Sequence, residues 1–151
     1  MSIELENLVK ELNKTLPLEE KWEYRRDLLR KIAELATPEA IQTICSVIEK
    51  EHNSSVKIRG ISILKENSSS QTISTLFKML DDWDSGVRIR AIQALLACDS
   101  IEIVKFIPQL TEYQDREYRA DIKKEVDEIF NKIAQKLDLS KEKLIEKYGN
   151  K

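Results

Sequence analysis

Glycine, proline, cysteine and histidine are all scarce in this sequence, and each scarcity excludes something. Three glycines and three prolines in 151 residues leave little material for the tight turns of a many-stranded β fold. The same three glycines leave no G-x-G-x-x-G or Walker loop to cradle a phosphate. Two cysteines, Cys45 and Cys98, are too few for a secreted disulfide framework or a cysteine-rich zinc site. Both stand inside apolar patterns, as small core side chains in a reducing cytosol do. The one histidine, His52, lies in a polar turn with no Cys or Asp at ligand spacing. A Ser-His-Asp or Cys-His arrangement would have to run through it, and no nucleophile motif accompanies it. No stretch approaches the roughly 18 consecutive apolar residues of a membrane span. The N-terminal Met-Ser-Ile-Glu-Leu-Glu-Asn carries acid where a signal peptide needs base. These absences lead us to expect a cytoplasmic protein with no catalytic residues, no cofactor, no metal and no membrane partner.

Charge of one sign is lacking too. Twenty-five basic against twenty-seven acidic side chains give a formal charge of −2, so no global polybasic field recommends nucleic acid. At 34% charged and 41% hydrophobic, the chain is neither core-poor and disordered nor membrane-like. Its length suits one domain that buries about 70% of the surface its unfolded form would expose.

What the sequence does have is repetition. Val56-Lys57-Ile58-Arg59-Gly60-Ile61-Ser62-Ile63-Leu64 matches Val87-Arg88-Ile89-Arg90-Ala91-Ile92-Gln93-Ala94-Leu95 at an offset of 31. Stepping back 32 reaches Tyr24-Arg25 with Leu28 and Ile32, and stepping forward 31 reaches Tyr118-Arg119 with Ile122 and Val126. Each block is preceded by a second pattern. Ile41, Ile44, Cys45 and Ile48 recur as Ile73, Leu76, Phe77 and Leu80, then as Ile103, Phe106, Ile107 and Leu110. That i, i+3, i+4, i+7 spacing puts each set on one face of a helix. Polar, acidic connections separate the two patterns, at 51–55, 81–86 and 112–115. Turns such as Thr37-Pro38, Asn67 to Ser70 and Asp99-Ser100 separate the units, and Thr37-Pro38-Glu39 is a good helix start.

The reading is one all-α domain over 1–151, an α-α superhelix of about four helical hairpins plus a C-terminal helix. The units fall at about 1–36, 37–68, 69–99 and 100–137, with the terminal helix at 138–149. Neither helix of a hairpin hides its apolar face alone, so the units must stack on one continuous core.

Asp84-Ser85-Gly86-Val87-Arg88-Ile89-Arg90-Ala91-Ile92-Gln93-Ala94-Leu95 resembles the D-x-x-V-R-x-x-A-x-x-A-L second-helix signature of HEAT-like repeats. The likeness is to the short bacterial kind associated with phycobilisome lyases. The second unit keeps the signature with Lys57 for Arg and Gly60 for Ala. The outer units keep Arg25 and Arg119 but put Leu28 and Ile122 where the small residue stands. The resemblance implies that second helices line a concave face and that Arg88 pairs with an acid between units. It further implies protein binding, or a bilin lyase or chaperone-like role, or nucleic-acid binding of the kind found in HEAT-like alkylpurine DNA glycosylases.

Gly60 and Ala91 would allow close approach of neighbouring helices. At about 100° per residue, Arg59, Ser62 and Glu66 fall opposite the apolar side of their helix. Their equivalents are Arg90, Gln93 and Ala97, flanked by Asp27, Arg30 and Glu34 on one side and Asp121, Lys124 and Glu128 on the other. The spans 54–66 and 85–98 hold five basic residues and one acidic, a local +4 hidden by the overall charge. The strip reads as a dock for an acidic patch or helix of a protein partner, with Arg59 and Arg90 as anchors. Phosphate contact with nucleic acid and a merely solvated helix face are the alternatives. Trp22 reads as rim packing over the core, and Trp83, in an acidic turn, as either rim packing or a contact surface.

Overall fold

The structure, a computed structural model, describes residues 2–98 and 100–149; Asp99, assigned above to a turn between units, lies outside the described residues. Among these residues every regular element is helical. α1 (Ile3–Thr15) and α2 (Trp22–Glu34) form the first hairpin, with a 3₁₀ turn at Glu19–Lys21 before α2. α3 (Pro38–Lys50) and α4 (Ser54–Lys65) form the second, and α5 (Ser70–Lys78) and α6 (Ser85–Ala97) the third. α7 (Ile107–Arg116) and α8 (Ala120–Lys136) make the fourth, and α9 (Lys141–Tyr148) packs on both. No helix of the described residues is long and apolar enough to cross a membrane.

Local chemistry sets these boundaries. Side-chain oxygens of Thr37, Asn53, Ser69, Asp84 and Ser140 each accept a backbone N–H in the first turn of the helix that follows, satisfying donors that have no intrahelical partner. With so few glycines, α2 and α8 end through Ala36 and Asp138, both in the left-handed region at φ 55°. After α8 the Leu139 amide reaches back to the Ala134 carbonyl at 2.9 Å, as in a Schellman close. The first helix of the fourth unit is broken, contrary to its continuous apolar pattern. Ile101–Phe106 is a 3₁₀ segment, and α7 starts only at Ile107. Pro108 explains the break, because it lacks an N–H and its ring clashes with the carbonyl four residues earlier.

The core is one cluster running from Leu5 to Leu144. The face of α3 holds Ile44, Cys45 and Ile48 fully buried, and the faces of α5 and α7 repeat this with Ile73, Leu76 and Phe77 and with Ile107 and Leu110. Phe77 and Phe106 stack at 4.4 Å between two first helices. The second helices α2, α4, α6 and α8 pack along one another more extensively than the first helices do. They therefore form the inner layer of the curve. Gly60 and Ala91 are buried within it.

Residues at matching positions along the second helices define the repeat. The seventh residues are Leu28, Gly60, Ala91 and Val126, and the eleventh are Ile32, Leu64, Leu95 and Phe130, all buried. The fourth unit is thus displaced by one helical turn from the 31-residue frame. Val126, and not Ile122, takes the place of Ala91, and Tyr118 and Arg119 precede α8 instead of entering it. The 3₁₀ segment before Pro108 lengthens the first half of the unit and pushes the second helix along the chain.

Candidate docking face

The inner helices are aligned by a row of buried ion pairs. Arg25, Lys57 and Arg88 each occupy the fourth position of a second helix. Each reaches the carboxylate that ends the first helix of the next unit: Glu51, Asp82 and Glu117 respectively. Arg25 is wholly buried. Its Nε and Nη2 donate to the two Glu51 oxygens at 2.9 and 3.0 Å, and its Nη1 to the Thr15 and Leu18 carbonyls at 2.7 and 2.5 Å. Arg88 repeats the fork, with both contacts to Glu117 at 3.2 Å, and its Nη1 donates to the Asp82 and Trp83 carbonyls. The Tyr113 hydroxyl donates to the same Glu117 carboxylate at 2.9 Å. Burial and that carboxylate together push the Tyr113 pKa well up. Burial alone would lower the Arg88 pKa, but Glu117 and Tyr118 more than offset it and the value rises. Arg119 departs from the row. It stands at the N-cap position of α8 without a side-chain capping bond, and donates instead to Asp121 of its own helix and to the Ser85 hydroxyl of the preceding unit.

Asp84 ties units two and three in another way. Its carboxylate accepts from the Gly86 and Val87 amides at 2.7 and 3.2 Å and from the Ser54 hydroxyl at 2.9 Å. Burial raises its pKa, but the Ser54 hydroxyl, the two amides and the Arg88 charge outweigh it and the net shift is downward. A depressed folded-state pKa contributes stability above the unfolded value of about 3.9, and that stability is lost as pH falls through the folded value. Asp84→Ala is expected to destabilise the fold by about 1 kcal/mol at neutral pH, with the difference from wild type shrinking in urea titrations at acid pH.

These pairs correct the charge count of the inner strip. Lys57 and Arg88, two of its five basic residues, are buried in ion pairs. Arg59, Lys65 and Arg90 stay accessible beside Glu66, so the strip is less positive than its sequence suggests. Ser62, Arg90, Gln93, Arg30 and Lys124 are exposed, and Arg59 is half-buried. Arg59 and Arg90 hold the sixth positions of α4 and α6, two helices that pack side by side. Ser62 and Gln93 hold the ninth positions directly below them. Among the described residues, neither Arg59 nor Arg90 takes an ion-pair or hydrogen-bond partner. Asp27 and Glu125 continue their rung outwards, and Arg30 and Glu128 continue the lower one. Lys124 was assigned to the Gln93 rung, but the displaced fourth unit puts it about a turn closer to the start of α8. Arg30 is tied to Glu34 at 3.0 Å. The assembled patch is therefore Arg59, Ser62, Arg90 and Gln93, with Arg30 and Lys124 at its margins.

This alternation of inner and outer helices, locked by an Arg or Lys at one fixed inner position, is matched by a family model for HEAT repeats over residues 5–96. The chain belongs to the HEAT-repeat family. HEAT repeats are commonly protein-interaction scaffolds. The matched residues end at Leu96, just before the displaced fourth HEAT unit begins. No curated protein and no solved structure matches the chain.

The aromatics divide. Trp22 is partly buried against the HEAT core, with the Arg26 guanidinium 5.2 Å from its ring centre. Trp83 lies on the edge formed by the turns, 77% exposed, and Tyr118 is 80% exposed on the same edge. The 31-residue frame would put Tyr118 inside a helix, whereas α8 starts only at Ala120 and leaves Tyr118 in the turn. The signal available was Glu117, which ends α7 as Asp82 ends the helical segment before Trp83.

Proposed function

We propose that this HEAT-repeat protein is a non-catalytic adaptor that docks an acidic helix or patch of a partner protein on its inner face. Arg59 and Arg90 are the anchors, with Ser62 and Gln93 as flanking hydrogen-bonding groups. The observation that carries this reading is the contrast between neighbouring cations. Lys57 and Arg88 are consumed by inter-unit ion pairs, while Arg59 and Arg90, two residues along, have every donor available. Two unpartnered guanidinium groups carried on adjacent packed helices match the bidentate geometry of carboxylates. Few accessible charges, flanked by Asp27 and Glu125, suit a local acidic contact better than a phosphate track, whose affinity grows with each phosphate neutralised.

The test is capture from cell lysate by wild type and by Arg59→Glu/Arg90→Glu, after circular dichroism shows equal helicity. The double reversal should remove the main partner, since hot-spot arginines contribute about 2 kcal/mol or more each. An unchanged partner list would sink the inner-face reading. Salt-sensitive retention on duplex DNA, lost in the same variant, would replace it with nucleic-acid binding.

A further inference from the structure

Beyond its two unpartnered guanidinium groups, the inner face changes sign along the stack. On α8, Lys132 is turned onto the Leu96 and Cys98 carbonyls, and Asp127 is held by Lys141 of α9 and Gln114 of α7. Glu125 and Glu128 hold the sixth and ninth positions of the same helix, the first half-buried and the second exposed. Neither takes a partner among the described residues. Three residues apart, they share one side of α8 and continue the Arg59–Arg90 and Ser62–Gln93 rungs. Lys124 stands beside them, exposed and paired with neither, which leaves this side of α8 net negative. The opposite flank has no such bias. Asp27 has Arg30 and Lys31 three and four residues on, and Arg30 is tied to Glu34. The adjacent packed helices α4, α6 and α8 thus carry accessible charge in the order positive, positive, negative.

Order and spacing both constrain what can lie there. Packed helices stand about 8–10 Å apart, and that is the separation at which Arg59 and Arg90 leave their backbones. An extended strand repeats one face at about 7 and 13 Å, and residues four apart on a helix are about 6 Å from each other. Residues seven apart on a helix keep nearly the same face and rise about 10.5 Å. Only the last spacing suits the pair. A helix laid across α4, α6 and α8 meets each of them once every seven residues, whereas one laid along α4 would meet a single cation of the pair.

We propose that the inner face takes a partner helix laid across the stack, with carboxylates seven residues apart on Arg59 and Arg90 and a basic side chain seven further on against Glu125 and Glu128. This inference rests on the inner-face reading above and adds the partner's secondary structure, its charge register and the residues that select it. Arg59 and Arg90 attract any acidic segment. Glu125 and Glu128 reject one that stays acidic past its second carboxylate, because like charges then face each other, and so separate a helix of mixed sign from a uniformly acidic one.

The probes are three alanine-based peptides of about 20 residues, long enough to be helical alone, labelled for fluorescence anisotropy and titrated with the full chain at low salt. The first carries glutamates seven apart and a lysine seven further on. The second has the same composition with its glutamates four apart, and the third has glutamate in place of the lysine. The first is expected to bind about two- to fivefold more tightly than either of the others, the scale of one exposed ion pair. Arg59→Ala/Arg90→Ala should weaken all three and remove the preference for spacing. Glu125→Lys/Glu128→Lys should invert the order of the first and third peptides at unchanged helicity, a gain that loss of structure cannot produce. Peptides that need Arg59 and Arg90 yet bind alike whatever their spacing and third charge would overturn this inference and leave the inner-face reading standing. Binding that is absent, or the same in wild type and Arg59→Ala/Arg90→Ala, would overturn both.

Discussion

Arg25→Ala is expected to destabilise the fold by about 3–5 kcal/mol, because it leaves a buried carboxylate without its counter-ion. Glu51 is 3% exposed and cannot turn to water. Its Oε1 keeps the His52 and Asn53 amides, both at 3.1 Å, but loses the guanidinium fork. The Thr15 and Leu18 carbonyls lose a donor at the same time. Against a typical total of about 5–15 kcal/mol, this is a large fraction. The three rungs should rank by how many buried groups each cation serves. Arg25 serves one carboxylate and two carbonyls in full burial. Arg88 serves a similar set at longer distances and with slight exposure. Lys57 serves Asp82 alone. Urea titrations of the three Ala variants should give that order at constant slope, since a changed slope reports a changed denatured state. Lys57→Ala proving the most damaging would mean that burial of the carboxylate, not the set of donors, sets the penalty. In a one-dimensional stack each unit touches only its neighbours, so hydrogen exchange in Arg25→Ala should rise first in α1 to α4.

How much of this was legible depends on which face of a helix a residue occupies. The hairpins were legible, because Ile44, Cys45 and Ile48 or Ile73, Leu76 and Phe77 follow a helical period that little else explains. The burial of Lys57 was legible in principle. It adjoins Val56 and lies one turn from Gly60 and Ile61, on the side that packs, whereas Arg59 is two residues on and about 200° round the helix. Summing charges along a segment erased that distinction. The fourth unit was not legible by the same means. Tyr118-Arg119 imitates Val87-Arg88 in residue type, and the later register shows only in where α8 begins and in the burial of Val126 and Phe130 at its seventh and eleventh positions. Pro108 was the local warning, since a first helix that must restart there shifts everything after it. Trp83 is 77% exposed in a turn whose carbonyl Arg88 holds from five residues along, and residue type in an acidic turn does not by itself distinguish an exposed ring from one folded over the rim.

Gly60→Leu is expected to destabilise by about 3 kcal/mol or more, the upper end of overpacking. A Cβ built at Gly60 would lie 2.2 Å from the Ile48 Cγ2 of α3, far inside contact distance. Ile48 is itself fully buried. Its Cγ2 is attached at the branch point of a stiff χ1 and cannot swing aside as a chain end would. Gly60→Ala separates two opposing effects. Replacing a mid-helix glycine gains about 1 kcal/mol of helix propensity, while the clash with Ile48 takes about 1–3 kcal/mol, so the net change is a smaller loss. Ile48→Leu moves the branch one carbon outwards at constant volume and removes the offending methyl. In the double variant Gly60→Ala/Ile48→Leu the clash disappears and the propensity gain survives. The cycle should therefore show a coupling of about 0.5–3 kcal/mol in the favourable direction. Zero coupling would place the tightness of this joint elsewhere, in the approach of α4 to α6 and not of α4 to its own hairpin partner. The matching test at Ala91, whose methyl is already accommodated in full burial, is Ala91→Gly. It should cost about 1 kcal/mol in helix propensity and show no such coupling to the α5 residues.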